Sequence, residues 1–486
     1  MKKNLHVVLY LMFFGIASVV VSTTAFATNG MNMEGYGPVA TGMGGASMAY
    51  DNGTAAMMNN PATLGLMPQG DLLDVALGYL GPNVKATNGV SGESSTSSAN
   101  AFYMPAFGWA RKSGELSYGV GMFSQGGMGA EYDANSFLAA GSGDKVRSEL
   151  GVGRVLIPVA YNVNKDFIVG GSLDFVWASL DLKMAMNGAQ FGDLVGPAFG
   201  GNNTFGTASG SMVNTLGGAF AGGQLTGLNW ARFDFSDGSA FTGKAKATGY
   251  AAKIGGVYKV NDALALGATY HSKTTLGDME ANGATVSMSV NGPGVGGGPA
   301  TIPVSGKIKV IDFQWPQMLG AGAAYQASDK LMLVFDYKWI NWKSVMKDFK
   351  MSFTADANQA NPMAAGFGLG GQSMDAVLYQ NWKDQNIIMI GAGYKVSTEW
   401  TVRAGLNLAN NPIPDEFMLP LFPAIEKNHV MLGAGYMISK ASSVDASFTY
   451  APEVKSTTQV PTPTGMVPVT VAHSQTNLQL MYSYRF

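Results

Sequence analysis

The chain has 486 residues, a formal charge of −2, 13% charged residues, 65 glycines and no cysteine. Without cysteine there is no disulfide scaffold, thiolate metal site or cysteine nucleophile, and the slight negative charge offers no basic footprint for nucleic acid. So much glycine with so little charge argues against a helix-rich architecture.

Residues 1–27 read as a cleaved secretory signal. Lys2 and Lys3 precede an apolar run, Val7 to Val21, and Ala25-Phe26-Ala27 is a small-x-small cleavage site, so the exported chain is expected to begin at Thr28. Nothing later approaches the about 18 consecutive apolar residues of a transmembrane helix. Any crossing of a membrane falls to strands.

Residues 28–69 precede the first strand and are small, glycine-rich and of mixed polarity. In MNNPATLGLM, Asn60 reads as an N-cap and Pro61 as the first helical position. Such a segment plugs a lumen or trails in the periplasm. Its methionines (Met31, Met33, Met43, Met48, Met57, Met58 and Met67) suit either a deformable ligand path or the packing of the segment itself.

From residue 70 a unit recurs: an aliphatic and glycine run, a tyrosine, a polar turn, then a new alternating strand. It appears at Tyr161, Tyr258, Tyr325, Tyr394 and Tyr436. One end of each hairpin is constant and the other varies, as in transmembrane barrels with short periplasmic turns, long outer loops and aromatic girdles. A soluble antiparallel barrel leaves the alternation of long and short connections unexplained. Leu333, Phe335, Tyr337 and Trp339 share one face against Asp336 and Lys338. The chain ends on LQLMYSYRF, apolar and aromatic on one face and mostly polar on the other. Fourteen strands fit residues 70–486, with long connections near 81–100, 125–149, 186–245, 281–304, 348–382, 412–427 and 454–471. The expected fold is all-β: a 14-stranded antiparallel transmembrane β-barrel plugged by a small N-terminal hatch with short helices.

The segment from Ala27 to Met67, with its triplet Asn60-Pro61-Ala62, resembles the N-terminal hatch of the FadL/TodX family of outer-membrane hydrophobic-compound transporters. The likeness continues through LALGATYHSKTTLGD, LMLVFDYKWINWKSV and WTVRAGLNLANNPIPDEFMLP to the C-terminus. It implies a hatch in the lumen, and passive uptake of long-chain fatty acids or of aromatic or aliphatic hydrocarbons. It also implies a kink in the third strand that opens the wall sideways. A location in the outer membrane of a Gram-negative bacterium follows, among lipids and lipopolysaccharide. The chain is then expected to be a monomer, assembled by the barrel-assembly machinery through Phe486. The third strand runs into Gly126, Gly127 and Gly129, which suit a kink or bulge; the plainer reading is that they begin the 125–149 loop.

No catalytic constellation stands out, so the chain reads as a non-enzyme without metal or cofactor. His271 and Ser272 adjoin on a strand and face opposite ways, which makes a surface histidine the better reading than a dyad. The glycine runs near Val295 and Gly368 lack the lysine and helix of a phosphate cradle. The stretch 190–235 is long, apolar and poor in charge, which marks a binding loop; Phe191, Leu194, Phe199, Phe205 and Phe220 are its candidate ligand contacts. Lys338 and Arg403 point inward and are candidate partners for a carboxylate head group, or they balance lumen acids such as Asp336. The rival to uptake of hydrophobic molecules is a polar-solute porin or a purely structural barrel. A porin calls for an open lumen ringed by charge.

Overall fold

The alternating segments form one antiparallel sheet that closes on itself where the last strand pairs with the first. The computed structural model describes residues 29–239 and 243–486; the expected leader and its cleavage site lie outside the described residues. The early strands are β1 (Gly70–Asn88), β2 (Ser94–Thr96 and Phe102–Ser113), β3 (Leu116–Tyr132), β4 (Val146–Asn162) and β5 (Phe167–Asn187). Next come β6 (Gly206–Ser209), β7 (Gly227–Phe235), β8 (Ala245–Lys259) and β9 (Leu264–His271, Thr275–Leu276 and Met279–Asn291). Then follow β10 (Ala300–Ile311 and Met318–Ser328), β11 (Leu331–Ile340 and Asp348–Ala355) and β12 (Ser373–Tyr379 and Gln385–Lys395). The last are β13 (Trp400–Ala409), β14 (Asn428–Met437), β15 (Ser442–Thr462) and β16 (Gly465–Arg485).

The barrel thus has sixteen strands, not the expected fourteen. The two additions, β6 and β7, come from the 186–245 connection, which the sequence predicts as a loop. β7 lies between β5 and β9 at their outer ends, and β6 pairs with the outer part of β12. Other predicted loops also continue the sheet. β3 runs on to Tyr132, and β15 and β16 stay paired from Ser442↔Tyr484 to Thr462↔Gly465. The physical reason is the solvent outside. Beyond the membrane the outward face meets water, so Lys455, Thr457 and Gln459 stand exposed while Val454, Ser456 and Thr458 are buried. The apolar outward stripe that reveals a lipid-facing strand is missing there.

Around the middle of the barrel that stripe is complete. Leu77, Phe107, Ile157, Leu173, Ile254, Phe335, Ile390, Leu432 and Leu480 are exposed on the outer face. Tyr161, Tyr258, Tyr325 and Tyr436 flank them toward the short turns, and Tyr103, Tyr250, Tyr337 and Tyr450 toward the long ends. This is the arrangement of a bilayer-facing belt with two aromatic girdles. Among the described residues no helix is long and apolar enough to cross a membrane.

Residues 29–68 lie inside the barrel and are almost wholly buried. Inward side chains from around the wall hold their backbone. Asp336 accepts the Ser47 and Met48 amides at 2.5 and 3.1 Å, Asp74 accepts Thr54 at 2.8 Å, and Asn407 donates to the Gly44 carbonyl at 3.2 Å. His271, expected on the surface, is buried, and its Nε2 lies 3.0 Å from the Asn59 carbonyl. Asn60 caps a 3-10 helix, Pro61–Leu66, by accepting from the Ala62 amide at 3.1 Å. Its Nδ2 donates to the carbonyls of Met48 (2.8 Å) and Gly256 (3.2 Å), so one side chain fixes the helix start and ties it to β8.

Candidate functional site

The wall has an opening. The ladder between β2 and β3 runs from Ser113↔Leu116 to Ala106↔Phe123 and stops there. Beyond it, Phe102–Pro105 of β2 pair with β1 alone, while Ser124–Tyr132 of β3 pair with β4. The two edges meet again where the Ser98 amide donates to the Glu131 carbonyl at 2.9 Å. The register of β3 shifts between Ser124 and Gly126, as at a bulge. Into that edge comes the start of the inner segment. Gly127 donates to the Met31 carbonyl at 3.0 Å, and Met33 donates to the Gln125 carbonyl at 3.4 Å. A Cβ on Gly126 would collide with the Met31 carbonyl oxygen, so glycine is what lets the two backbones approach.

Charge below the opening is consumed locally. Asp174 accepts from Arg154 Nη1 (2.7 Å), Lys253 Nζ (2.6 Å) and Ser172 Oγ (2.6 Å), and Arg154 Nε also donates to the Gln125 side chain. Tyr36 donates to the Gln125 carbonyl at 2.7 Å. Of the two cations singled out by alternation, Arg403 pairs with Asp445 at 2.8 Å. Lys338 is buried on the same face as Asp336. Neither lines a cavity described below.

Behind the opening lies a cavity of about 330 Å³. Residues 30–34 form one side, and Phe102–Pro105, Gly126–Gly129, Leu150, Val152 and Trp177 form the wall. Pro423, Ala424, Glu426 and His473 close it toward the outer end. Gly126, Gly127 and Gly129 all border it, as do Met31 and Met33. Its acids are Glu34, Glu149 and Glu426; among the described lining residues there is no lysine or arginine. Glu149 stands on β4 beyond the outer tyrosines, whose level on that strand is Val155. Burial pushes its carboxyl up to about 7, against the pull of the adjoining Arg147.

A second hollow, of about 210 Å³, is the outer groove. Leu194, Phe205, Met184 and Met186 face Phe417–Leu421 and Val460, Val467 and Val469 across it. Glu416 is its one ionisable group of acid or base type among the described lining residues, tyrosine aside. Here the apolar 190–235 stretch is folded. Asn187 accepts from the Ala189 and Gln190 amides while Gln190 returns a bond to the Asn187 amide, a capping box that starts the helix Gly188–Val195. Leu194 and Phe205 reach the groove. Phe191 is buried in the core, and Phe199 packs edge-on against Phe220 at 5.3 Å, joining that region to the helix Ser211–Ala221. The residues 417–426, which border both hollows, were signalled in the sequence only by an apolar run broken by Pro420 and Pro423.

The family described as "Outer membrane protein transport protein (OMPP1/FadL/TodX)" matches residues 15–486. The Pseudomonas putida toluene transporter TodX is 28% identical, with a TM-score of 0.75 over 93% of this chain and 99% of that one. The Ralstonia pickettii toluene transporter TbuX is 29% identical, with a TM-score of 0.71 over 93% and 99%. Outer membrane protein P1 of Haemophilus influenzae is 22% identical over 323 residues, 66% of this chain. The matches to two curated relatives span only 26% and 60% of those relatives' lengths.

Proposed function

Because the chain belongs to the outer membrane protein transport family (OMPP1/FadL/TodX), we propose that it admits small neutral hydrophobic molecules across the outer membrane. They enter the outer groove, pass to the inner cavity and leave sideways into lipid between β2 and β3, past Gly126, Gly127 and Gly129. The observation that carries this reading is the pair of apolar hollows with no lysine or arginine among their described lining residues. An ionised carboxylate leaving water needs a compensating partner, and the acids Glu34, Glu149 and Glu426 of the inner cavity offer none. An uncharged hydrocarbon loses nothing and gains about 25 cal/mol for each Å² of apolar surface buried. An apolar cavity of roughly 150 Å³ already holds benzene, and both hollows exceed that. The similarity to TodX and TbuX, both toluene transporters, favours an aromatic ring.

The test is entry of labelled toluene and labelled oleate into cells lacking such a channel, with and without this protein, beside sucrose-driven swelling of vesicles. Toluene entry should rise well above leak, with little effect on oleate. Equal acceleration of oleate would sink the neutral-ligand reading, and sucrose swelling would favour a porin.

Export fits the same reading. Removal of residues 1–27 would leave Thr28 first, which N-terminal sequencing of the membrane-inserted protein checks. Phe486, stacked on Tyr484 at 5.6 Å, is the terminal aromatic offered to the assembly machinery. The outward belt then faces lipid and lipopolysaccharide around a monomer.

A further inference from the structure

The two hollows are separated by one short piece of chain. Met418 to Leu421 border the outer groove, and Pro423, Ala424 and Glu426 border the inner cavity. Phe422 stands between them. Its ring is buried against Phe349, at 5.8 Å between centroids, and shares a void of about 10 Å³ with Met128 and Leu150. Met128 and Leu150 also line the inner cavity, so the seat of Phe422 opens on the same wall.

This strap, residues 418–426, belongs to no strand. Pro420 and Pro423 have no amide to give a ladder. Its own backbone bonds are local turns: Met418 to Asp415 (3.3 Å), Phe422 to Leu419 (2.8 Å), Ala424 to Phe422 (3.1 Å) and Ile425 to Pro423 (2.8 Å). Its apolar side chains Met418, Leu421, Phe422, Ala424 and Ile425 are buried, and its polar ties to the barrel are the Glu426 carboxylate, 3.4 Å from His473 Nε2, and a set of wall side chains on its carbonyls. Tyr132 donates to Pro420 at 3.0 Å, Ser148 donates to Leu421, and His473 Nδ1 lies 2.7 Å from the Pro423 oxygen. Water can replace each of these bonds when the strap lifts. The contacts of Phe422 are apolar and undirected, so a hydrophobic molecule arriving from the groove can replace the ring it displaces.

We propose that residues 418–426 are an inner gate of the uptake path, with Phe422 as its plug and Tyr132, Ser148 and His473 as its latches. The inference rests on the uptake reading above and adds where passage is controlled. A ligand waits in the groove, the strap lifts, the ligand passes under it, and the latches re-form behind.

The native chain has no cysteine, so a pair placed at Ser148→Cys and Leu421→Cys is unique. The full-length variant is expressed in cells and the pair is joined with a short, reductant-cleavable bifunctional thiol reagent, the linkage being verified by mass. Toluene entry should fall at least tenfold on linking and recover on reduction. Calorimetric binding of toluene to the purified variant should differ by less than twofold between its linked and reduced forms, so that loss of entry on linking is not loss of binding. A verified link that leaves entry unchanged overturns the gate. Should the pair resist linking, Phe422→Ala decides: removal of the plug should raise the initial rate of toluene entry several-fold, and an unchanged or lower rate in a correctly folded barrel overturns the proposal. Absence of toluene entry in the unlinked variant and in the wild type alike would overturn the uptake reading, and the gate with it.

Discussion

At Gly126 a side chain and the start of the inner segment compete for one place. The Met31 carbonyl lies where a Cβ would be, and the bonds at Gly127 and Met33 depend on that approach. Gly126→Val should therefore expel Met31–Met33 from the edge of β3 without stopping the barrel from closing, because the β3 ladder to β4 is made by backbone. Heat-modifiable mobility should be retained while toluene entry falls at least tenfold. Normal entry would mean that this edge has no part in release. The residues that set charge are less exposed to sequence reasoning. Alternation alone places Arg403 inward, but its partner lies two strands away. Arg403 is opposite Gly433 on β14, and Gly435 is opposite Asp445 on β15. Two glycines leave room for the guanidinium to cross β14, which no reading of one strand reveals.

At the scale of elements, the folded 190–235 region divides its aromatic residues between two jobs. Leu194 and Phe205 border the groove, while Phe199 and Phe220 pack on each other. Phe205→Ser should weaken calorimetric toluene binding by about 1.5 kcal/mol, roughly tenfold, with little change in the thermal midpoint. Phe220→Ser should do the reverse: it strips an edge-to-face pair worth about 0.5–1.5 kcal/mol beyond its area and leaves affinity nearly intact. Equal effects of the two would refute the division. The sequence showed that this stretch is apolar but not which ring faces which way, because burial here depends on β6, β7 and two helices meeting the ends of β12 and β15. Lipid-crossing strands were legible because hydrocarbon demands an apolar residue at every second position. Their watery extensions were not, since Lys455 and Gln459 look like any loop residues. The Asn60–Pro61 start was legible because a cap is a local device.

For the whole molecule the boundary between those two regimes should be measurable. Phe335 sits in the middle of the exposed belt, between the levels of Tyr325 and Tyr337. Phe335→Arg should cost about 2–4 kcal/mol in urea unfolding from lipid vesicles, as a charge near the bilayer midplane does. Thr457→Arg, on an outward face in water, should change stability by less than about 0.5 kcal/mol. Comparable losses at both would place the bilayer elsewhere on the barrel.

The lack of lysine and arginine among the described lining residues of both hollows also bears on the cell that makes this protein. A path that reads only size and apolarity has no head group by which to tell a nutrient from a poison. On the uptake reading, each copy is a breach in the lipopolysaccharide barrier that otherwise protects such bacteria from solvents. Cells producing it should grow on dilute aromatic vapour and die sooner under a layer of the same compound.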